Sequence, residues 1–356
     1  MASCEHLEIF DDDGTFETKA ELLRMPPPGA SLARLRSIGT LLLESGQDDR
    51  TAANLRQALV ERGCRKSLRK LPIDGWTIRA AHEDVLREVA SLSESVLQPE
   101  ALSQPQVVKK ADHLEMELEL IEWMANERPQ VQKLVREFAA VADVVEYEDE
   151  LTDPNAAAHA AAYFPSATTF RCSPRELLPP VRSGLAKTVA NMSRCSTIDF
   201  VDDVEVHQDA PKNAVAFLES LKRQMATEEG QGGGEGEGER RLSVKIEVSV
   251  TGILHRSRPL QLWASHDLPA IDDVCIRVMA GLGEDDSMEA LYGSVMASLV
   301  GIISRPGVSK ASAFLCGSVR EGVRRLFNTH LAVFNLLCTP YTITMEDDTI
   351  TVETRT

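Results

Sequence analysis

The stretch Val107 to Ala125, VVKKADHLEMELELIEWMA, decides how the N-terminal half is read. Val107, Ala111, Leu114, Leu118, Ile121 and Ala125 step by four, three, four, three and four, the spacing that lines apolar side chains along one stripe of an α-helix. Upstream, Val85, Val89, Leu92 and Val96 repeat the pattern. Downstream, Pro129 stands where a helix tolerates proline and leads into Val131, Leu134, Phe138, Val141 and Val145. Three narrow seams of this kind predict a helical bundle or a coiled-coil hairpin. Two shorter helical patterns precede them: Leu32, Leu35, Ile38, Leu41 and Leu42, then Ala52, Leu55, Ala58 and Leu59, which Gly63 ends. Residues 31–150 are therefore expected to form a helical domain. Residues 1–30, acidic and closing on Pro26-Pro27-Pro28-Gly29, read as a flexible leading segment.

Residues 151–356 mix periods. Helices are expected over 174–192, with Pro179-Pro180 delaying the start, and over 211–225, 287–304 and 310–337. Strands are expected over 197–206 and 242–250, where Leu242, Val244, Ile246, Val248 and Val250 alternate with polar residues. Leu260 and Leu262 lie on a further alternating run. A hairpin should pair 341–345 with 349–353 around Glu346-Asp347-Asp348. Between these elements, 228–239 is almost entirely Gly and Glu and reads as a flexible loop. Hairpins among helices, without regular βαβ units, favour an α+β domain with antiparallel strands.

Composition narrows the function. Acids outnumber bases 55 to 38, for a net charge of −17, which argues against bulk attraction to nucleic acid or anionic membranes. Aromatics at 5% leave little for base stacking. The N-terminus has Glu5, Glu8 and Asp11 to Asp13 in place of a basic start and an apolar stretch, so it does not read as an export signal. No apolar run reaches the length that spans a bilayer. The seven cysteines are odd in number and scattered, as expected of reduced thiols in a cytoplasmic or nuclear protein.

Motifs with chemistry behind them fail on their own spacing. Asp11-Asp12-Asp13-Gly14 resembles part of a calcium loop, but Ile9 and Ala20 then occupy positions that need oxygen ligands. His159, Cys172, Cys195 and His207 lack the close pairs of a structural zinc site. Ser67-Leu68-Arg69-Lys70 has the spacing of an acyl-enzyme serine and lysine without any companion motif. The reading is no catalytic residue, no cofactor and no metal.

Charge is segregated instead. From Arg50 to Lys70 seven bases face the single acid Glu61, whereas from Ala111 to Asp153 thirteen acids face Arg128, Lys133 and Arg136. Narrow seams with charged flanks predict a protein-interaction scaffold or adaptor subunit of an intracellular complex. Leu114, Leu118 and Ile121 would be its contact stripe, and Arg62, Arg65, Lys66, Arg69 and Lys70 would dock an acidic partner, with Glu115, Glu117, Glu119 and Glu122 facing a basic one. Two alternatives stand beside this: an enzyme whose site is scattered through the C-terminal domain, or weak nucleic-acid binding through 62–70.

Overall fold

The computed structural model describes residues 15–25, 27, 29–43, 49–109, 113–148, 159–202, 210–229, 242–251, 273–281, 288–304, 310–315, 322, 324–329, 341–346 and 349–354. The chain divides into two units, 1–146 with 160–167 and 147–159 with 168–356.

The first unit opens with helix α1 (Phe16–Arg24). Thr15 caps it by accepting the Thr18 amide, and Phe16, Lys19, Ala20 and Leu23 bury one face. Residues 16–24 of the leading segment thus form a helix, because Phe16, Lys19, Ala20 and Leu23, spaced three, one and three apart, share one packable face despite the acidic composition. Lys19 is itself buried and donates from Nζ to the Ile38 carbonyl at 2.8 Å. Strand β1 (Leu41–Leu43) replaces the helix expected over 32–42. Helix α2 (Asp49–Glu61) follows, burying Ala52, Leu55, Ala58 and Leu59 as the spacing predicts. It ends in a Schellman turn: Cys64 N–H reaches Leu59 O, Gly63 N–H reaches Val60 O, and Gly63 sits at φ +81°.

Strands β2 (Ile73–Gly75) and β3 (Thr77–Ile78) come next, then α3 (Glu83–Val96), which buries the expected Val85, Val89, Leu92 and Val96. After the short α4 (Pro99–Leu102), the stretch 107–125 departs from its helical reading. It forms strand β4 (Glu115–Glu117), then helix α5 (Glu119–Met124). Leu114, Met116 and Leu118 alternate with Glu115 and Glu117, and this period of two prevails over the four-and-three spacing. Helix α6 (Pro129–Val141) starts at its proline, and Val145 belongs to β5 (Val144–Tyr147).

The strands pair in parallel in two sheets, β1 with β2 in one, and β3 with β4 and β4 with β5 in the other. The helices stack in the same order, α1 on α2, α2 on α3 and α3 on α6. A helical bundle is therefore not what the first unit builds. Its apolar seams are buried, with α2 packed on α1 and α3 and α3 on α6, and parallel strands alternate with these helices along the chain, the order of a solenoid.

The second unit repeats the plan with β6 (Thr169–Cys172), α7 (Pro179–Asn191), β7 (Thr197–Asp202), α8 (Ala210–Glu229), β8 (Ser243–Thr251), β9 (Asp273–Gly281), α9 (Met288–Ile303) and β10 (Lys310–Leu315). Strands β6 to β10 pair in sequence order, all parallel. Strands β11 (Tyr341–Glu346) and β12 (Thr349–Thr354) form the expected hairpin, with β12 antiparallel to β10. Helices and a mixed sheet are both present, but among the described residues antiparallel pairing is limited to β12 with β11 and with β10. The helix expected from 310 begins as β10, which pairs in parallel with β9 and antiparallel with β12. The run at 260–262 and the loop at 228–239 lie outside the described residues, apart from the end of α8.

In register, Phe170, Ile198, Val244, Val274, Ala311, Val352 and Ile343 form one buried row across seven strands. Helix α8 covers it: the Phe217 ring lies 6.0 Å from Phe170, stacked, and 6.2 Å from Phe200, edge-on.

Candidate functional site

Because side chains alternate along a strand, the residues between the buried ones face the other way. In the second unit this opposite row reads Arg171, Asp199, Lys245, Cys275, Ser312, Thr351 and Thr344, one residue per strand. Arg171 Nε donates to Asp199 Oδ2 at 3.2 Å, and Ser312 Oγ lies 3.3 Å from Thr351 Oγ1. A parallel row of Thr169, Thr197 and Ser243 sits one step earlier on the same face. Parallel sheets are usually apolar on both faces because helices cover both. Here one row is wholly apolar and the other carries charges, hydroxyls and a thiol, of which Asp199 and Ser312 are buried and Arg171, Lys245, Cys275 and Thr351 half-buried.

The first unit builds the same asymmetry. Ile78, Met116 and Val145 are in register and buried, while Glu117 of β4 stands directly opposite Glu146 of β5. Like charges in that position repel. Arg79, just past β3, offsets this: its Nη2 lies 3.0 Å from Glu146 Oε2 and its Nε 3.9 Å from Glu117 Oε1. Glu117 also accepts the Ala80 amide, at the start of the short 3₁₀ turn Ala80–His82 that leads into α3, where a carboxylate suits the free N–H groups. His113 Nε2 lies 2.8 Å from Glu115 Oε1 on the same edge. Beside these polar groups, Trp76 is 62% exposed between β2 and β3.

The residues singled out from sequence fall into different places. Leu114, Leu118 and Ile121 are buried, the first two flanking β4 beneath the strand layer. Arg62 is an internal clamp at the end of α1: its guanidinium donates to the carbonyls of Leu23 at 3.1 Å, Arg24 at 3.1 Å, Pro27 at 2.8 Å and Ala30 at 3.4 Å. A cation there satisfies carbonyls that the helix leaves unpaired. Arg65, Lys66, Arg69 and Lys70 are exposed. Of the acids expected to meet a basic partner, Glu115 and Glu117 are paired within the chain, with His113 and Arg79.

Cys172 and Cys195 are buried, and burial pushes the Cys172 thiol well above its ordinary range, with Asp199 adding to the shift. His159 is exposed, and His207 and residues 11–14 lie outside the described residues. Among the described residues, no group of three or more His, Cys, Asp or Glu is placed to hold a metal ion. Nor is any described helix long and apolar enough to cross a membrane. The polar strand faces escaped sequence reading, although the alternation L-E-M-E-L at 114–118 carried the signal.

No family model matches the chain, and no curated protein matches it. Among solved structures, it is similar to the leucine-rich repeat-containing protein LegL7 from Legionella pneumophila. That likeness has 11% identity and a TM-score of 0.32, covering 83% of this chain and 81% of that one.

Proposed function

We propose that the chain is a protein-interaction subunit that binds its partner across the polar strand face. The observation that supports this is the row Arg171, Asp199, Lys245, Cys275, Ser312 and Thr351, which repeats one polar residue per strand opposite a fully apolar row. A solenoid multiplies such a row by stacking, so one extended surface presents donors and acceptors at the regular spacing of roughly 4.8 Å between strands. Alternating charge on it favours partners of matching pattern and disfavours others, which is a means of selection more than of raw affinity. The contact stripe thus moves from the buried Leu114, Leu118 and Ile121 to the strand faces.

The test is affinity purification of the tagged chain from its native source, with quantitative mass spectrometry of what co-elutes. Thr197→Arg and Lys245→Ala, both on the half-buried face, should each deplete the same stoichiometric partner while circular dichroism stays unchanged. A partner retained by both folded variants would rule the strand face out.

A further inference from the structure

Two basic stretches far apart in sequence meet on one edge of the first unit. The Arg69 amide donates to the Arg36 carbonyl at 2.8 Å and the Leu32 amide to the Arg62 carbonyl at 2.7 Å, which sets residues 32–36 alongside 62–69. On the other side, the Lys66 amide reaches the Ser95 carbonyl at 3.1 Å. Arg34, Arg65, Lys66, Arg69 and Lys70 are all exposed there, and Arg36 is half-buried. Among the described residues, the side chains of Arg34, Arg65, Arg69 and Lys70 enter no hydrogen bond or ion pair.

Of the described acids nearby, Glu88 pairs with Arg56 at 3.0 Å and Glu94 with Arg128 at 2.5 Å, while Glu61 accepts from the neutral Gln57 and keeps its charge beside the six cations. The edge therefore keeps a net positive charge on a strongly acidic chain. Lys66 is also the one described non-glycine residue at positive φ, +51°, an unfavourable conformation that the amide bond to Ser95 and the Nζ bond to Glu94 O hold in place.

Next to Arg65 and Lys66 a cleft of about 620 Å³ opens between α2 and α3. Ala53 and Val60 contribute apolar surface, and Arg56, Gln57, Arg65, Lys66 and Ser95 surround it with polar groups. Such a socket takes a side chain with an aliphatic stem and an anionic tip. A glutamate has that form; a phosphodiester has the charge without the stem.

We propose that this edge, built from Arg34, Arg36, Arg65, Lys66, Arg69 and Lys70 with the α2–α3 cleft, docks a glutamate-rich segment of a partner protein. It is a different surface from the strand face and does not rest on it. The cations would contribute through charge complementarity, which raises the rate of encounter and fixes orientation. The net charge of −17 would repel long polyanions and anionic bilayers, while a short acidic segment meets mainly the local field.

The experiment is fluorescence anisotropy of the full chain with a short labelled peptide of alternating Glu and Ala. Its Gln-for-Glu counterpart, single-stranded DNA of similar length and phosphatidylserine vesicles serve as competitors. The acidic peptide should bind and the Gln peptide should not. Arg65→Glu with Arg69→Glu should weaken binding by roughly tenfold or more. Lys187→Glu with Arg194→Glu changes the net charge equally on exposed positions of the other unit and should leave binding within about twofold. Equal binding of both peptides, or equal losses in the two double variants, would overturn the proposal. So would DNA or vesicles that compete more strongly than the acidic peptide, which would assign the edge to phosphate chemistry. Because the strand-face residues are untouched, failure here leaves the affinity-purification result standing.

Discussion

Leu118 separates the two ways of reading the N-terminal half. On a helical seam it would face a partner, and a charge there would release that partner from a folded chain. In the structure it is 1% exposed and follows β4, its amide bonded to the Glu146 carbonyl at 2.8 Å. Leu118→Ala removes a buried branched side chain from a site held by strands on both sides, where collapse is limited, so about 3 kcal/mol should be lost. Leu118→Glu loses the same burial and adds a carboxyl that must either ionise in apolar surroundings or stay protonated at neutral pH. Each unit by which burial raises its pKa costs about 1.4 kcal/mol, and several units are usual at such sites. The sum is on the order of the total stability of a domain, roughly 5–15 kcal/mol.

Hydrogen exchange read by mass spectrometry resolves where the loss falls. Leu118→Glu should abolish protection over β3, β4, β5 and α3 in the first unit. The Ala variant should speed exchange there without abolishing it. A Leu118→Glu chain with undiminished protection over 114–118 would refute the reasoning. It would mean that Leu118 reaches solvent and that β4 is shifted by one residue, with Glu115 and Glu117 turned to the core side.

Three further outcomes follow from single groups. Arg62→Ala should cost about 1–3 kcal/mol and make α1 the first site of limited proteolysis, whereas Arg65→Ala should leave the cleavage pattern unchanged, since it is Arg62 that bonds the carbonyls of Leu23, Arg24 and Pro27. Burial raises Tyr292 from 10 to about 12, so the folded state keeps its proton where the unfolded state has lost it. That contribution is complete below pH 10 and fades as pH rises to 12, by at most about 3 kcal/mol, and Tyr292→Phe should flatten this alkaline loss in thermal unfolding. Among Cys64, Cys172, Cys195 and Cys275, iodoacetamide should label Cys275 first, because it is half-buried on the polar row while burial raises the Cys64 and Cys172 thiols; Cys172 labelling ahead of Cys275 would contradict the assignment of faces.

Much of the helical content was legible because the apolar spacing in α2, α3 and α6 falls on buried residues, although α3 also buries Leu86 and Ala90 and α6 Val135 and Ala139, a wider face than the seams alone. The delayed start of α7 at Pro179 and the C-terminal hairpin were legible for local reasons, proline geometry in one and alternation around an acidic turn in the other. What failed is instructive at 107–125. Leu114, Leu118 and Ile121 satisfy a helical period, yet Leu114, Met116 and Leu118 satisfy a strand period over the same residues. Helical propensity of Glu, Leu and Met favours the first reading, and only lateral pairing with β3 and β5, long-range in sequence, decides for the second. Lys310 to Leu315 failed for the same reason, its alanines being ordinary helix formers that a parallel neighbour recruits into a strand.

The charges were misread by the same omission. Counting acids over 111–153 makes that segment look like a surface waiting for a basic partner. Folding places Arg79 from one coil against Glu117 and Glu146 from the next two, and Lys109 against Asp143, so part of this charge is answered inside the molecule. The basic run has the opposite history. Arg62 is withdrawn to clamp α1, but Arg34 and Arg36 arrive from the preceding coil, and of the described acids nearby Glu88 and Glu94 are already paired. Stacking coils thus converts a one-dimensional charge count into pairs and remainders. The remainder at Arg34, Arg65, Arg69 and Lys70 is the one that sequence proximity alone could neither complete nor exclude, and it is there that an acidic partner would meet charge not already neutralised by the chain itself.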